Sequence, residues 1–442
     1  MVFANPEGLP LYLLDRSRLE CAAECPRKYF WLYQFLGVGI VKIRELPPYW
    51  PFHTGTFIHE GVESVLRGVP GKEAAEKAAS DYYNKWAPIV TQPDISPENS
   101  AILMMELEQE VDLVKALVYG WATVGYPRFL ANYTVIKNGI EQEEEISWLI
   151  DDGTPGAPKA EMRLLTRTDI LAKANSTGMV HLFNLKSVKE ANEKWRTGFQ
   201  RDMQTLTEAM AVESRLGFKV DGVIIEGLIK GKNNEYPKGS GFWQSQSMLI
   251  YAWVKEADAT SAALPGEVTQ TEYATSWDYT CTSPHIMGNH QHCPGGRNHT
   301  LGKGYRKRAV RDCFPGGVFG WLDYLNRNDP EVLASYFIQL PAINRDEFQV
   351  ARWVRQKLHR EKERQDNAAK VNEAFERGDK DTAYALLDHT FNMNEGYQCF
   401  DCAYNSLCWE AGNPLDEDVW RARVPNHLAE AERLVQISNA ST

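Results

Sequence analysis

Nowhere in the 442 residues do apolar side chains run unbroken for the roughly 18 positions that a membrane-spanning helix needs, so no span and no membrane partner are expected. The opening "MVFANPEGLPLYLLDR" lacks a basic segment followed by an apolar core and a small-residue cleavage site. No secretory leader is therefore expected, and the protein is expected to act in the cytoplasm, where it is made. Positive charge is not in surplus either. A net charge of −11 argues against a general polyanion binder. It leaves room for a local basic channel, because phosphate contacts act within a Debye length of about 8 Å. Cysteine is sparse, eight in all. Without a leader these point to reduced thiols or metal ligands rather than a disulfide framework. Internal repeats and low-complexity tracts are also missing.

What is present is the composition of a soluble globular chain, 43% hydrophobic and 24% charged, long enough for two or three domains. Seven segments follow from texture. Residues 1–50 hold N-terminal helices and Cys25, with two consecutive helical pieces over 11–36. Asp15 or Ser17 can cap the first piece, and Pro26 opens the second. Cys25 then falls at the junction, beside Arg27 and Lys28, which favours a thiolate. Cys21 suits a small buried apolar role. Residues 51–130 are helical and carry His59, interrupted by a proline-containing loop at 88–97. Residues 131–230 turn strand-rich around an intervening helix, the texture of a mixed α/β core. Within them Glu141, Glu143, Glu144 and Glu145 read as a solvated strand edge. Residues 231–312 form an insertion, 313–395 return to helices, 396–412 hold a cysteine cluster, and 413–442 form an acidic, partly helical tail.

The chemistry-bearing residues lie on a predicted hairpin, "RLLTRTDILAKANSTGMVHLFNLKSV". Alternation on a strand sends Asn184 and Lys186 to one face and Phe183 and Leu185 to the core. Asp169 on the neighbouring strand can converge on the same spot. Oxygen ligands beside a lysine make a plausible Mg²⁺ or Mn²⁺ site, although an Asp and a Lys on adjacent strands are more often ordinary surface residues. After the hairpin, Gln200, Gln204 and Glu208 recur every fourth residue, either a solvated helix face or a polar stripe turned to the hairpin. His59 is equally open between a structural role and a metal ligand. Cys399-x2-Cys402-x5-Cys408 supplies three closely spaced thiolates for zinc or an iron–sulfur cluster, with a fourth ligand from elsewhere.

"CPRKYFWLY", "GTFIHEGVE", "RTDILAK", "FNLKSVK", the glutamine helix and "CFDCAYNSLC" occur in this order over roughly 15–410. The series resembles the RecB-like branch of the PD-(D/E)xK nucleases, in particular its iron-staple members: the AddB nuclease domain, CRISPR-associated RecB-like exonucleases and related phage proteins. The resemblance implies a restriction-endonuclease-like mixed sheet flanked by helices, with a large helical portion and its chain ends joined by a cysteine-ligated cluster. It implies a Mg²⁺- or Mn²⁺-dependent exonuclease acting on single-stranded DNA or DNA ends in recombination, repair or phage DNA processing. A helicase or recombination partner in a bacterial or phage-infected cell would accompany it. His59, Asp169, Lys186 and Gln204 match the metal-binding histidine, the metal-bridging aspartate, the motif lysine and the motif glutamine. Cys25, Cys399, Cys402 and Cys408 match the ligands of a 4Fe-4S cluster. The family carries Asp or Glu where this chain has Asn184, and tyrosine where it has Glu208. Either Glu208 supplies the missing carboxylate, or the chain is a catalytically impaired DNA-binding or assembly module.

Two further features lie in or beside the insertion. Cys281, His285, His290, His292, Cys293 and His299, with Cys313 at the edge, could hold Zn²⁺, though their spacing matches no established pattern. Arg297, Lys303, Arg306, Lys307, Arg308 and Arg311 form an acid-free basic stretch, suited to phosphate contacts or to a solvated loop. Trp195, Phe199, Phe242 and Trp243 could stack on bases, but core packing is their ordinary role. A zinc-stapled structural protein without a DNA role is the third reading.

Overall fold

The computed structural model describes residues 3–4, 9–43, 54–93, 95–150, 160–231, 247–255, 273–274, 305–344, 346–394, 399, 402–410 and 412–424. Two strands come first, β1 (Phe3–Ala4) and β2 (Pro10–Leu14). Helix α1 (Arg16–Glu24) follows, capped by Asp15, whose carboxylate accepts from the Arg18 amide at 2.8 Å. The helix stops at Cys25, held extended at φ −155° and ψ 111° because Pro26 follows. Helix α2 (Pro26–Tyr29) starts on that proline and winds on in a wider turn to Gln34, and β3 (Ile40–Lys42) comes next. Four helices then precede the sheet: α3 (Thr54–Leu66), α4 (Gly71–Val90), α5 (Pro97–Gly120) and α6 (Tyr126–Asn132).

Strands β4 (Tyr133–Ile150), β5 (Ala160–Ala174) and β6 (Val180–Val188) form a meander. Helices α7 (Glu193–Gly198) and α8 (Met203–Leu216) lead to β7 (Gly222–Ile229). Beyond it come β8 (Tyr251–Lys255), β9 (Tyr273–Ala274), β10 (Tyr305–Ala309), α9 (Val310–Cys313), α10 (Gly317–Asn328), α11 (Pro330–Ala334) and β11 (Phe337–Gln339). The described part closes with α12 (Glu347–Glu376), α13 (Lys380–Thr390), α14 (Asn405–Trp409) and β12 (Trp420–Ala422), the last paired with β3. No helix among the described residues is long and apolar enough to cross a membrane.

The main sheet is mixed and runs β1-β2-β5-β6-β7-β11, with β4 also pairing β5. One edge of β5 is taken by β4 along its whole length. The other edge is shared. Strand β2 runs parallel to Glu161–Leu164, and β6 runs antiparallel to Ile170–Lys173. Residues 165–169 of β5 therefore face a notch between β2 and β6, while β6 continues in parallel register with β7 from His181 to Val188. Helices cover both faces. Ile170, Phe183, Leu185 and Leu228 pack under α3, α4 and α5, and Leu171, Leu182, Val223 and Ile225 pack with Phe199 and Val212 on the side of α8. The strand period of two puts Asn184 and Lys186 on the α8 side, as their spacing predicts.

Helix α12 fastens the start of the chain. Gln365 Nε2 donates to Leu13 O at 2.7 Å, Asn372 Nδ2 to Gln34 O at 2.7 Å, and the Tyr29 hydroxyl to the buried Glu361 carboxylate.

Three expectations are corrected. Residues 11–14, expected to begin the first helical piece, instead belong to strand β2, because they fill the edge of β5 that β6 leaves open. Helix α4 runs through Pro88 to Val90, and the connection shrinks to 91–96 before the Ser96 cap of α5. A proline this near a helix end disturbs only the last turns. Glu144 is buried rather than solvated, and its carboxylate accepts from Arg215 Nε of α8 at 2.7 and 2.8 Å. Of the tail, residues 413–424 are described and contribute a strand, whereas 425–442 lie outside the described residues, so the expected helical part is not among the corrections.

Candidate metal site

The notch in the sheet is where the polar side chains gather. Past Phe183 the β5–β6 ladder ends, and the Leu185 amide, with no ladder partner on β5, donates instead to Asp169 Oδ2 at 2.6 Å. From α3, His59 Nδ1 approaches Asp169 Oδ1 at 3.6 Å. Burial pushes the Asp169 carboxyl upward, but His59, Lys186 and the Leu185 amide together outweigh it and hold the group below the usual carboxylate range.

Helix α8 closes the notch from one face. Asp202 caps it, accepting from the Gln204 amide at 3.0 Å, which fixes the azimuth of the first turn. Gln204 and Glu208, one turn apart, then face β6. Both oxygens of Glu208 are engaged: Asn184 Nδ2 donates to Oε2 at 2.6 Å, and Gln204 Nε2 donates to Oε1. Gln204 Oε1 in turn accepts from Arg16, at the start of α1. Asn184 and Glu208 are both buried. Burial lifts Glu208 to about 8; the Lys186 ammonium opposes that rise, the Asp169 charge adds to it, and the two amide donors oppose it. Lys186 is half-buried and makes no direct hydrogen bond or ion pair with a described residue. Burial depresses its ammonium against the pull of Asp169 and Glu208, and the charge of Arg16 acts in the same sense as burial.

The donor set fits a hard divalent cation. Asp169, Glu208 and Asn184 offer oxygens, which Mg²⁺ and Mn²⁺ prefer, and His59 adds an imidazole acceptable to Mn²⁺. The sharpest sign is Asn184 Oδ1, a buried acceptor with no hydrogen-bond partner. An unmet buried carbonyl oxygen costs about 1–3 kcal/mol, which a bound cation would recover. Among the described residues no three His, Cys, Asp or Glu side chains are already drawn together at metal-holding distance.

The cysteines form a second grouping. Cys25, Cys399, Cys402 and Cys408 are free, half-buried thiols. The Cys402 amide donates to Cys399 O at 3.3 Å, and Asn405 Nδ2 donates to the same oxygen at 3.0 Å. Burial raises the Cys402 thiol, with Lys28 opposing and Cys25 and Cys399 adding. Burial also pushes Cys408 up to about 11, with Arg27 opposing and Cys402 and Cys25 adding. Residues almost the length of the chain apart thus lie within electrostatic reach of one another. Cys21 is buried, its thiol pushed up to about 12 by burial, in keeping with an apolar packing role.

Other expected residues are placed elsewhere. Gln200 precedes the Asp202 cap and is exposed, off the α8 stripe; it lines a surface cavity of about 560 Å³ with Arg196, Thr197 and Asn344. Arg311 is tied to Glu108 at 2.9 Å and to Asp112 at 3.6 Å, so acids already neutralise this member of the basic stretch. Arg306, Lys307 and Arg308 fall on β10, which pairs with β8. Arg297 and Lys303, the His and Cys residues of 281–299, and Phe242 and Trp243 lie outside the described residues. Cys313 ends α9. Trp195 and Phe199 meet edge-to-face at 4.9 Å and pack on the sheet, a core role.

Sequence reasoning missed Arg16. It is 188 residues from Gln204, and no local pattern signals the contact. A scan of family models and a comparison with curated proteins return no match to this chain.

Proposed function

We propose that the chain is a divalent-metal-dependent deoxyribonuclease built on a RecB-like PD-(D/E)xK core, with a 4Fe-4S cluster on Cys25, Cys399, Cys402 and Cys408. The observation that carries the reading is the meeting of Asp169, Asn184, Lys186 and Glu208 at the notch where β6 parts from β5, with Asn184 Oδ1 left as an unmet buried acceptor. Asp169, Glu208 and Asn184 would hold the cation, with His59 beside Asp169. When bound, that cation supplies the positive charge that polarises a phosphodiester and an attacking water. His59 steadies the Asp169 carboxylate, and the Leu185 amide fixes its orientation. Lys186, on the same strand face as Asn184, sets an ammonium where charge develops on the phosphate. Burial also disfavours its charged form, which eases the release of a proton. The substrate expected from the resemblance is single-stranded DNA or a DNA end, in recombination, repair or phage DNA processing, with a helicase or recombination protein as partner.

A second reading is favoured by one residue. Asn184 brings no charge, so a cation would be held more weakly than by a second carboxylate, and burial disfavours charge on Glu208 as well. The chain would then be a DNA-binding or assembly module that keeps the fold. Degradation of single-stranded DNA with Mn²⁺ by the wild type, Lys186→Ala and Glu208→Ala separates the two. The nuclease reading expects wild-type cleavage and a loss of about 100-fold or more in each variant. Activity that survives Lys186→Ala sinks the site assignment; binding without cleavage by the wild type favours the module. Iron analysis and absorbance near about 400 nm test the cluster against a zinc staple.

A further inference from the structure

Arg16 stands at the first position of α1, immediately after β2 delivers the chain to the notch. Its Nε donates to Glu20 Oε1 at 2.7 Å, one turn along the same helix, and its Nη1 donates to Gln204 Oε1. A guanidinium has five N–H donors and no acceptor. Whatever meets it must offer oxygen, so Gln204 has one orientation only: Oε1 to Arg16 and Nε2 to Glu208.

The consequence travels through three side chains. Glu208 accepts from Gln204 at Oε1 and from Asn184 at Oε2. Asn184 spends its NH₂ on Glu208, and its Oδ1 is left buried without a partner. Turn the Gln204 amide over and its oxygen meets Glu208 Oε1, oxygen against oxygen. The carboxylate must then move, Asn184 loses its acceptor, and its NH₂ is free to swing into the place where a cation needs oxygen.

We infer that Arg16 is a positioning residue that fixes the direction of the Gln204–Glu208–Asn184 hydrogen bonds, so that the neutral Asn184 presents its oxygen to the divalent cation. The inference rests on the reading of the notch as a cation site. It accounts for how an amide can stand in that site: a carboxylate offers oxygen whichever way it turns, whereas an amide must be held one way round. Arg16 supplies the hold from the N-terminal helix, outside the hairpin and α8.

Mn²⁺ titration of the full chain by calorimetry tests this without reference to catalysis, with thermal melts as the check on folding. Arg16→Met is expected to weaken Mn²⁺ binding about 10–100-fold, the range for partners that orient metal ligands. Arg16→Lys, which keeps a donor-only cation, is expected to restore most of it. Gln204→Leu should weaken binding to the same extent, and the Arg16→Met/Gln204→Leu double variant should be no weaker than either alone. The decisive arm is Asn184→Asp, which removes the amide to be oriented. In that background Arg16→Met should cost little. Equal Mn²⁺ affinity in wild type and Arg16→Met overturns the inference alone. So does an undiminished Arg16→Met penalty in the Asn184→Asp background. A wild-type chain that binds no Mn²⁺ overturns the cation site itself, and the inference with it.

Discussion

Asn184 Nδ2 donates to Glu208 Oε2 across 2.6 Å, joining strand β6 to helix α8 at a point where both side chains are shut off from water. The contact ties the geometry of the notch to the seating of α8. Replacing the amide by a carboxylate places two acids on one another. Without metal, Asn184→Asp is expected to lower stability by roughly 1–3 kcal/mol, because Glu208 loses its amide donor and a second carboxyl is pressed against it in a buried site. With Mn²⁺ the loss should reverse, and the rise in melting temperature on adding Mn²⁺ should exceed that of the wild type. Melts with and without Mn²⁺ measure both, and an Mn²⁺-independent Asn184→Asp defect would refute the assignment of Asn184 as a ligand.

The opposite face of the sheet holds an acid with a plain pH signature. Glu226 on β7 is buried, accepts from Arg128, and accepts from Gln339 Nε2 at 3.3 Å. Burial pushes it up to about 7 against Arg128, Trp121 and Gln339. Since the folded form holds this proton more tightly than the unfolded chain, the contribution is fully present below about pH 4.5 and is lost as pH rises through about 7. The slope approaches roughly 1.4 kcal/mol per pH unit within that window. Glu226→Gln should flatten the fall in denaturation midpoint between pH 5 and pH 7, as chemical denaturation at several pH values will read.

Helix α3 leaves no room at Gly61. A Cβ there would stand 2.5 Å from Val118 Cγ2 and 2.9 Å from Cγ1 on α5. Gly61→Ala is expected to cost about 1–3 kcal/mol by overpacking. Because His59 lies two residues away on the same helix, Mn²⁺ affinity should fall too. Adding Val118→Ala removes both clashing carbons and should recover much of the stability. A Gly61→Ala variant as stable as the wild type would contradict the packing described for α3 against α5.

Cys25 and Cys402 lie far apart in the sequence, so the cluster proposed above would close a loop of some 370 residues. By the loop-entropy relation for disulfides that closure would be worth on the order of 5–6 kcal/mol. Cys402→Ser is expected to lose most bound iron and to open the region of α2 and α14 to protease, while the sheet core resists. Iron content, visible absorbance and limited proteolysis follow the three consequences.

Much of the site was legible because strand alternation is rigid. Phe183 and Leu185 on one face fix Asn184 and Lys186 on the other, and Glu208 follows Gln204 by one helical turn. Legibility failed where the deciding neighbour is distant. "PLYLL" is a short apolar run that suits strand or helix, and only the vacant edge of β5 makes it a strand. Glu144 looked solvated until Arg215, 71 residues later, came to cover it. Gln200 fell off its stripe because Asp202 restarts the helix, a signal that was there to be read. Arg16 had no such signal.

The placement of β2 against β5, and of the first helices against α12, sets a timetable for synthesis. Leu11–Leu14 cannot find their strand partner until residues 161–164 have been made. Tyr29 and Gln34 wait for Glu361 and Asn372. At about 5–20 residues per second, the aromatic segment "YFWLYQF" stands uncovered for roughly 17–70 s while the rest is translated. A nascent chain with so long an exposed interval is a natural client for a chaperone, and its yield should depend on how fast the ribosome moves.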